Sequence, residues 1–471
     1  MTRIAISIAG HTNNGKTTLA RTLLRRDVGV VDDRPHVTDI ADGHTLQKDH
    51  GAEIILWDLP GFGDSVRLKK RLIQSGIMAW LFSTFDRWKD RPLWCSQQCL
   101  KNVQNDADVI LYLIDAGAKP EDSPEVLAEL EVLSLIQKPV ILLLNQTGMP
   151  DAQRDQMIAH EWLSALTQFS IIKGALPMDG WMRCWIQEDI LFQKISDQLP
   201  EEKQHAYRRL ITEWKTIHHD QVLRDSLAAM AKSLAATASD CAIVDKESIM
   251  DKAKTLLSGK SSEQAEAAQA QLVKMLIDRS RNLMEELLKI NKLEGTPKDR
   301  VDALVAGIKT KNPDAPPEAM ALLGGIGSGL VTGLLADIQA GGLTFGGGAV
   351  AGAVLGGITA YALGRGYHKF KGQDGTARLR WSEEFLQDEW LAVGMRYLMI
   401  AHFGRGQGDW KDSVDGNIPQ RWQQLIKQWM KGNNAEVAGA LKESHSERIQ
   451  QLLESMIRHV LHELYPSSAD K

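Results

Sequence analysis

Apolar residues alternate at Ile4, Ile6 and Ile8, and the pattern breaks at Gly10. That predicts a buried strand running into a glycine turn. From Thr17 the spacing becomes helical, with Leu19, Leu23 and Leu24 on one face. Further strands are predicted at 53–57, 108–114 and 140–144, the last preceded by Pro139, where a missing N–H costs little. The two later strands are continuous apolar runs, as parallel strands covered on both faces should be. Helical patterns intervene at 121–136 and 151–167. This alternation predicts an α/β fold with a doubly wound parallel sheet.

Beyond residue 195 the strand signal stops. Residues 200–310 read as helices, with Leu272, Leu276, Leu283 and Leu287 at helical spacing between Gln264 and Ile290. A proline-containing break follows at 311–317, then a glycine-rich segment at 320–366. Tryptophan-bearing helices come next (Trp381, Trp390, Trp410, Trp422, Trp429), and one amphipathic helix is predicted over 434–464. The expected organisation is therefore a sheet domain at 1–195, a helical region at 196–312, a glycine-rich hairpin at 313–370 and a helical region at 371–471. In this reading the C-terminal part is all-α.

At 471 residues the chain exceeds one ordinary core, and 43% hydrophobic with 24% charged residues is a soluble composition that excludes a polytopic membrane protein. Residues 1–200 carry 21 Lys/Arg against 26 Asp/Glu, and the remainder carries 34 of each. With neither half basic, a large nucleic-acid footprint is not favoured, although a small RNA contact stays open. Cys95 and Cys99 lack a second pair for structural zinc, and all four cysteines read as reduced thiols. The N-terminus shows no basic-then-apolar signal, so a cytoplasmic start is expected.

Gly10-His11-Thr12-Asn13-Asn14-Gly15-Lys16-Thr17 matches G-x-x-x-x-G-K-[ST] between a strand and a helix. Glycines let such a backbone curl so that its N–H groups point at a β-phosphate. Lys16 supplies charge to the β- and γ-phosphates, and Thr17 a hydroxyl to Mg²⁺, with Thr18 beginning the helix beside them. Asp58-Leu59-Pro60-Gly61 follows the second apolar strand, where the metal-side aspartate of such a fold belongs. There Asp58 would hold Mg²⁺ through water and Gly61 N–H would sense the γ-phosphate. Thr38 is the candidate switch threonine and third metal-side group, with Thr45 as its competitor and a plain surface threonine as the alternative.

These motifs resemble the Era/MnmE-type P-loop GTPases, the group that also shares ancestry with septins and dynamins. The spacing from Thr17 to Thr38 is similar to theirs, and so is Asn13, which in potassium-using relatives helps coordinate that ion. The resemblance implies Mg²⁺, with K⁺ open, and catalytic roles for Lys16, Asn13 and Thr38. Phe62 stands where Ras-like relatives carry a water-positioning glutamine, which implies slow basal hydrolysis raised by potassium, dimerisation or a partner. Relatives read guanine with N-K-x-D, and here the stretch is Asn145-Gln146-Thr147-Gly148. Asn145 matches and Gln146 is carried as nucleotide-facing. The missing aspartate leaves ATP open, since it would be worth roughly 1–3 kcal/mol of discrimination. The last base-side loop is expected near 175–178. The longer stretch from Arg67 to Asn105, with Trp80, Trp88 and Trp94, reads either as a nucleotide-responsive docking surface or as an extended packed helix.

Residues 321–366 hold 15 glycines and a single acidic residue, Asp337, too few charges for an ordinary exposed helix. Gly325/Gly329/Gly333 and Gly348/Gly352/Gly356 stand at four-residue spacing, a groove into which a helix packs closely. Each glycine costs an aqueous helix about 1 kcal/mol against alanine, so the segment needs either close packing or a bilayer. Both readings stay open, the arms being short to adequate for a span.

The overall shape, a G domain followed by a helical domain with a glycine zipper, resembles uncharacterised bacterial GTPases. The expected function is a GTP/GDP-dependent switch acting at the membrane, on membrane lipid or on a membrane-protein partner, with peripheral or integral inner-membrane placement. Homodimerisation through the G domain is a further expectation. Two alternatives stand beside it: a soluble ribosome- or tRNA-associated assembly GTPase, and a dynamin-like membrane remodeller. Ser444, His445 and Ser446 are expected on a solvated helical face, not in a nucleophilic triad.

Overall fold

The structure is a computed structural model. It describes residues 1–26, 28, 42–62, 67–70, 90–148, 151–180, 184–244, 263–293, 367–372, 374, 376–402 and 420–466. Thr38, Trp80, Trp88, Trp410, the proline-containing break and the whole glycine-rich segment with its two glycine triplets lie outside the described residues. The chain divides into two compact units: Met1–Gln221 with Ala401–Asp409 and Leu464–Lys471, and Val222–Ile400 with Trp410–Glu463.

In the first unit the strands are β1 (Thr2–Gly10), β2 (Asp42–Lys48), β3 (Ala52–Asp58), β4 (Val109–Asp115), β5 (Val140–Asn145) and β6 (Ile172–Pro177). They form one sheet in the order β2-β3-β1-β4-β5-β6. All neighbours are parallel except β2, which runs antiparallel to β3 at the edge. The helices are α1 (Lys16–Leu24), α2 (Arg91–Asn105), α3 (Pro124–Ser134), α4 (Ala152–Ala165), α5 (Trp185–Gln198) and α6 (Glu201–Lys215). The α/β class is as expected. β2 was not, because only Leu46 in it is buried and its other residues are polar or glycine.

Each face of the sheet has its own core. One gathers Ile4, Ile6 and Ile8 of β1 with Leu19 and Leu23 of α1, and Tyr207, Leu210, Ile211 and Trp214 of α6. The other gathers Ile110, Tyr112 and Ile114 of β4 with Leu130 and Leu133 of α3, Cys99 of α2 and Trp162 of α4. Residues that alternate along β1 and β4 thus serve opposite layers, which is the strand period at work. The first unit extends past residue 195 because α6 closes one of these cores. Lys203 Nζ donates to both oxygens of Asp108 at 2.7 and 2.8 Å, fixing the start of α6.

Where α1 ends, Arg25 takes a left-handed conformation (φ 56). Its guanidinium donates to both oxygens of the buried Glu188 at 2.9 and 3.0 Å. His219 completes the cluster, with Nε2 2.7 Å from Glu188 and Nδ1 2.9 Å from Asp189. Trp214 packs edge-on against the imidazole at 5.0 Å. Burial alone would lower the His219 pKa, but the two carboxylates outweigh it and the value is raised.

The second unit carries α7 (Gln221–Ser239, from Val222 onward), α8 (Glu263–Ile290), α9 (Glu383–Ala401, to Ile400), α10 (Gln420–Glu443) and α11 (Ser446–Leu464, to Glu463). Helix α8 packs by Leu272, Leu276, Leu283 and Leu287, the residues its period predicted. Two expectations need correcting. Strands do not stop at 195: β7 (Cys241–Val244), β8 (Tyr367–Lys371) and β9 (Ala377–Trp381) form an antiparallel sheet in the order β7-β9-β8. Trp381 therefore lies in a strand and stacks on Phe385 at 4.0 Å. Nor is 434–464 one helix, because Ser444 adopts φ 52 and the chain turns there between α10 and α11. Ser444, His445 and Ser446 consequently sit at a helix–helix turn.

Replacing His219 by Ala should lower stability by about 1–3 kcal/mol, since Glu188 loses a buried partner. The raised pKa sets the pH dependence: the imidazolium's contribution is full below the ordinary histidine value and fades as pH rises through the raised one. Thermal melts of both proteins from pH 6 to pH 9 should show their difference shrinking with pH. A constant difference would contradict the charged pairing.

Candidate functional site

The strand ends that matter meet at the carboxyl edge of the sheet. Ile8 pairs with Asp58, Gly10 with Leu113, and Asp115 with Asn145. From β1 the chain runs through α1 to β2 and β3 on one side, and the connection after β3 returns to β4 on the other, so the loop after β1 opens at the switch point where α/β sheets bind ligands. That loop is Gly10–Thr17.

Gly15 caps α1 with φ 81, and a Cβ there would stand 2.5 Å from Asn145 Nδ2. Only glycine fits both the conformation and the approach. Asn13 is also left-handed (φ 66), a state asparagine tolerates, and its side chain is exposed. Asn14 Nδ2 donates to Leu113 O at 3.0 Å, and Lys16 Nζ donates to His11 O at 2.6 Å. The ammonium is thereby folded into its own loop, on the N-terminal side of α1 where backbone N–H groups favour an anion.

Lys16 and Asp58 are both buried, the latter 2% exposed. Burial lowers the Lys16 pKa and raises that of Asp58, and each is opposed by the other's charge. Thr17 Oγ1 donates to Asp58 Oδ2 at 2.6 Å, while Asp58 Oδ1 is buried without a hydrogen-bond partner. A hydroxyl and a carboxylate with one orphaned oxygen form an all-oxygen donor pair suited to a hard divalent cation. Thr17 and Asp58 therefore fit Mg²⁺. Bound there, the ion would supply positive charge against phosphate oxygens.

The segment after Asp58 lies against the phosphate loop. Leu59 N donates to Ile8 O and Phe62 N to Gly10 O, both at 3.3 Å. At Gly61 a Cβ would meet Thr12 Cα at 2.8 Å, so this approach demands glycine. Phe62 is fully buried. Thr45, the competitor for the switch role, sits in the β2 ladder opposite Ile55.

Three groups in this region were not anticipated. His11 Nδ1 lies 2.8 Å from Glu129 Oε1, and Tyr112 donates its hydroxyl to Glu129 Oε2 at 2.5 Å. The hydrogen bond to Glu129 raises the His11 pKa against the opposing effect of burial. Glu129 and Tyr112 come from α3 and β4, where apolar patterns gave no reason to single them out. The third group is Asp179, in the loop after β6. Strand β6 itself occupies Ile172–Pro177, so the last base-side loop begins at Met178 and not at 175.

Asn145 joins the loops together. Its Nδ2 donates to Asn14 O at 2.9 Å, and its Oδ1 accepts from Gly180 N at 2.7 Å. Gln146 is left-handed (φ 61) and exposed beside it. Gly148 N donates to Asp179 Oδ2 at 2.8 Å.

Comparison with known proteins finds relatives of the N-terminal part. Residues 5–146 match the family model described as 50S ribosome-binding GTPase. GTPase Era of Geotalea daltonii is 28% identical over 200 residues, covering 42% of this chain and 55% of its own length. GTPase Era of a Geobacter species is 29% identical over 146 residues, covering 31% and 40%. The chain thus spans about half the length of the curated relatives it matches. A crystal structure of Era in complex with MgGDPNP and nucleotides 1506–1542 of 16S ribosomal RNA is 21% identical, with TM-score 0.32, covering 43% of this chain and 58% of that one. The N-terminal domain has the sheet of a P-loop G domain and is similar over residues 5–146 to Era-type GTPases.

Removing the joining side chain tests the arrangement. Asn145→Ala strips Asn14 O and Gly180 N of a buried partner, a loss of about 1–3 kcal/mol. Affinity for a fluorescent guanosine diphosphate should fall roughly tenfold, with a lower melting temperature. Unchanged affinity would show that the loops hold their positions without it.

Proposed function

We propose that this chain is a Mg²⁺-dependent GTPase switch of the Era type, acting on a ribosomal partner through elements beyond its G domain. The observation that carries the nucleotide reading is the Thr17–Asp58 pair at 2.6 Å, with its orphaned oxygen, beside a buried Lys16 in a curled phosphate loop. The ribosomal reading is supported by the description of the family model that matches residues 5–146. Membrane action, the leading expectation from sequence, rests on the glycine-spaced segment outside the described residues. Among the described residues no helix is long and apolar enough to cross a membrane.

In this reading the loop N–H groups and Lys16 bind the phosphates, Thr17 and Asp58 would hold Mg²⁺, Gly61 N–H would sense the γ-phosphate, and Thr38 would close over the ion only while that phosphate is present. Asn13 supports a monovalent cation, K⁺ by the resemblance. Phe62 carries no group able to orient water, so turnover without a partner is slow.

Lys16→Ala should weaken GTP binding by about two orders of magnitude, and chelation of Mg²⁺ should weaken it in the unaltered protein. Calorimetric titration with and without EDTA measures both. Exchanging K⁺ for Na⁺ should slow GTP turnover severalfold in the wild type and leave Asn13→Ala unaffected. Ribosome co-sedimentation of the full chain with a GTP analogue, and not with GDP, is expected. Flotation with liposomes in place of co-sedimentation would return the assignment to the membrane.

A further inference from the structure

The base-reading loop lacks the aspartate its resemblance calls for, because Gly148 stands at that position. Two observations bear on what replaces it. A Cβ built on Gly148 meets nothing within 4 Å, so the space an aspartate side chain would enter is open. Against the main chain of that same residue lies another carboxylate: Gly148 N donates to Asp179 Oδ2 at 2.8 Å. Asp179 arrives from the loop after β6, and the next residue, Gly180, is held by Asn145 Oδ1 at 2.7 Å. Asp179 is only 5% exposed, so its position is set by packing as well as by these bonds.

We infer that Asp179 is the specificity-determining residue of the nucleotide site, its carboxylate reading the guanine base in place of an aspartate at position 148. This deepens the reading of the site as a guanine-nucleotide site and rests on it. The chemistry is selective in one direction. Guanine presents adjacent N1–H and N2–H donors on one edge, and a carboxylate offers acceptors only, each oxygen with two lone-pair directions, of which Gly148 N–H takes one on Oδ2. Adenine presents an unprotonated N1 and a C2–H there, so its lone pair faces the carboxylate's own. Gln146, exposed in its left-handed conformation, occupies the place where relatives lay a lysine over the ring. The carboxylate is therefore the stronger discriminator of the two. The recognising group would come from a neighbouring loop, bonded to the backbone N–H of the residue that stands at the aspartate's position.

Asp179→Asn supplies the test, because an amide places a donor where the carboxylate had only acceptors. Xanthine carries a C2 carbonyl in place of the guanine amine, so the variant should gain what the wild type rejects. Affinities for GDP, ADP and XDP would be measured by competition against a fluorescent diphosphate on the full chain. The wild type should prefer GDP over both ADP and XDP by about tenfold or more, and the variant should lose at least about tenfold toward GDP while gaining toward XDP. Misfolding cannot produce a gain, which keeps the outcome interpretable. Loss of GDP binding without the XDP gain would overturn the assignment and make Asp179 a loop-positioning residue. An unchanged GDP to XDP ratio would overturn it too, as would a wild type that binds all three equally, although in both cases the phosphate site stands. A wild type that binds no nucleotide would instead remove the underlying reading.

Discussion

The side chain of Asn145 is the constraint on which the site depends. One amide group holds Asn14 O of the loop after β1 and Gly180 N of the loop after β6, while its own backbone ends β5. It also accounts for Gly15, since any larger residue would strike the amide at 2.5 Å. Phosphate binding and base reading require loops more than a hundred residues apart in sequence to keep their separation within fractions of an ångström. A buried side chain with both ends bonded does this more economically than packing alone, because it has one geometry that satisfies donor and acceptor together.

Around that joint the G domain keeps charges where water cannot reach them. Lys16, Asp58 and Glu129 are all buried: Lys16 donates to His11 O, Asp58 accepts from Thr17, and Glu129 bonds both His11 and Tyr112, so each gives up solvation for a few fixed partners. Burial lowers the pKa of the Lys16 amine and raises that of the Asp58 carboxyl, and this local conflict persists because a folded core holds it in place. Phosphate oxygens beside the ammonium and a divalent ion beside Asp58 Oδ1 would resolve it. Such a site is preorganised for its ligands, and the tension in it would become binding energy.

How much of this was legible in the sequence depends on how far apart the cooperating residues lie. The phosphate loop was readable because its eight residues are contiguous and each is required by the chemistry. Strands β4 and β5 were readable because apolar residues fill both faces. The edge strand β2 was not, since a strand half open to water has no apolar signature. Strand β7 is apolar but only four residues long, too short to set a period; β8 is mostly charged or polar, and Trp381 was placed on a helix because its strand neighbours are arginine and leucine. Glu129 and Tyr112 belong to an apolar helix and an apolar strand, and only the fold brings them to His11. The carboxylate beside Gly148 comes from 31 residues away, beyond any motif window.

Phe62 decides what this arrangement leaves to others. Its backbone extends the contact between the segment after β3 and the phosphate loop, and its ring is wholly inside the core that also holds Leu59 and Leu68. A side chain so placed can neither donate a proton nor hold a water, and Gly61 beside it has no side chain to offer. The close approach to Thr12 forbids adding one without moving the loop. Chemistry at the γ-phosphate would therefore require a group from elsewhere in the chain, a cation or a second macromolecule. Among the described residues, the groups proposed to bind nucleotide are fixed by the core, while the residue after Gly61 brings no group that could orient water.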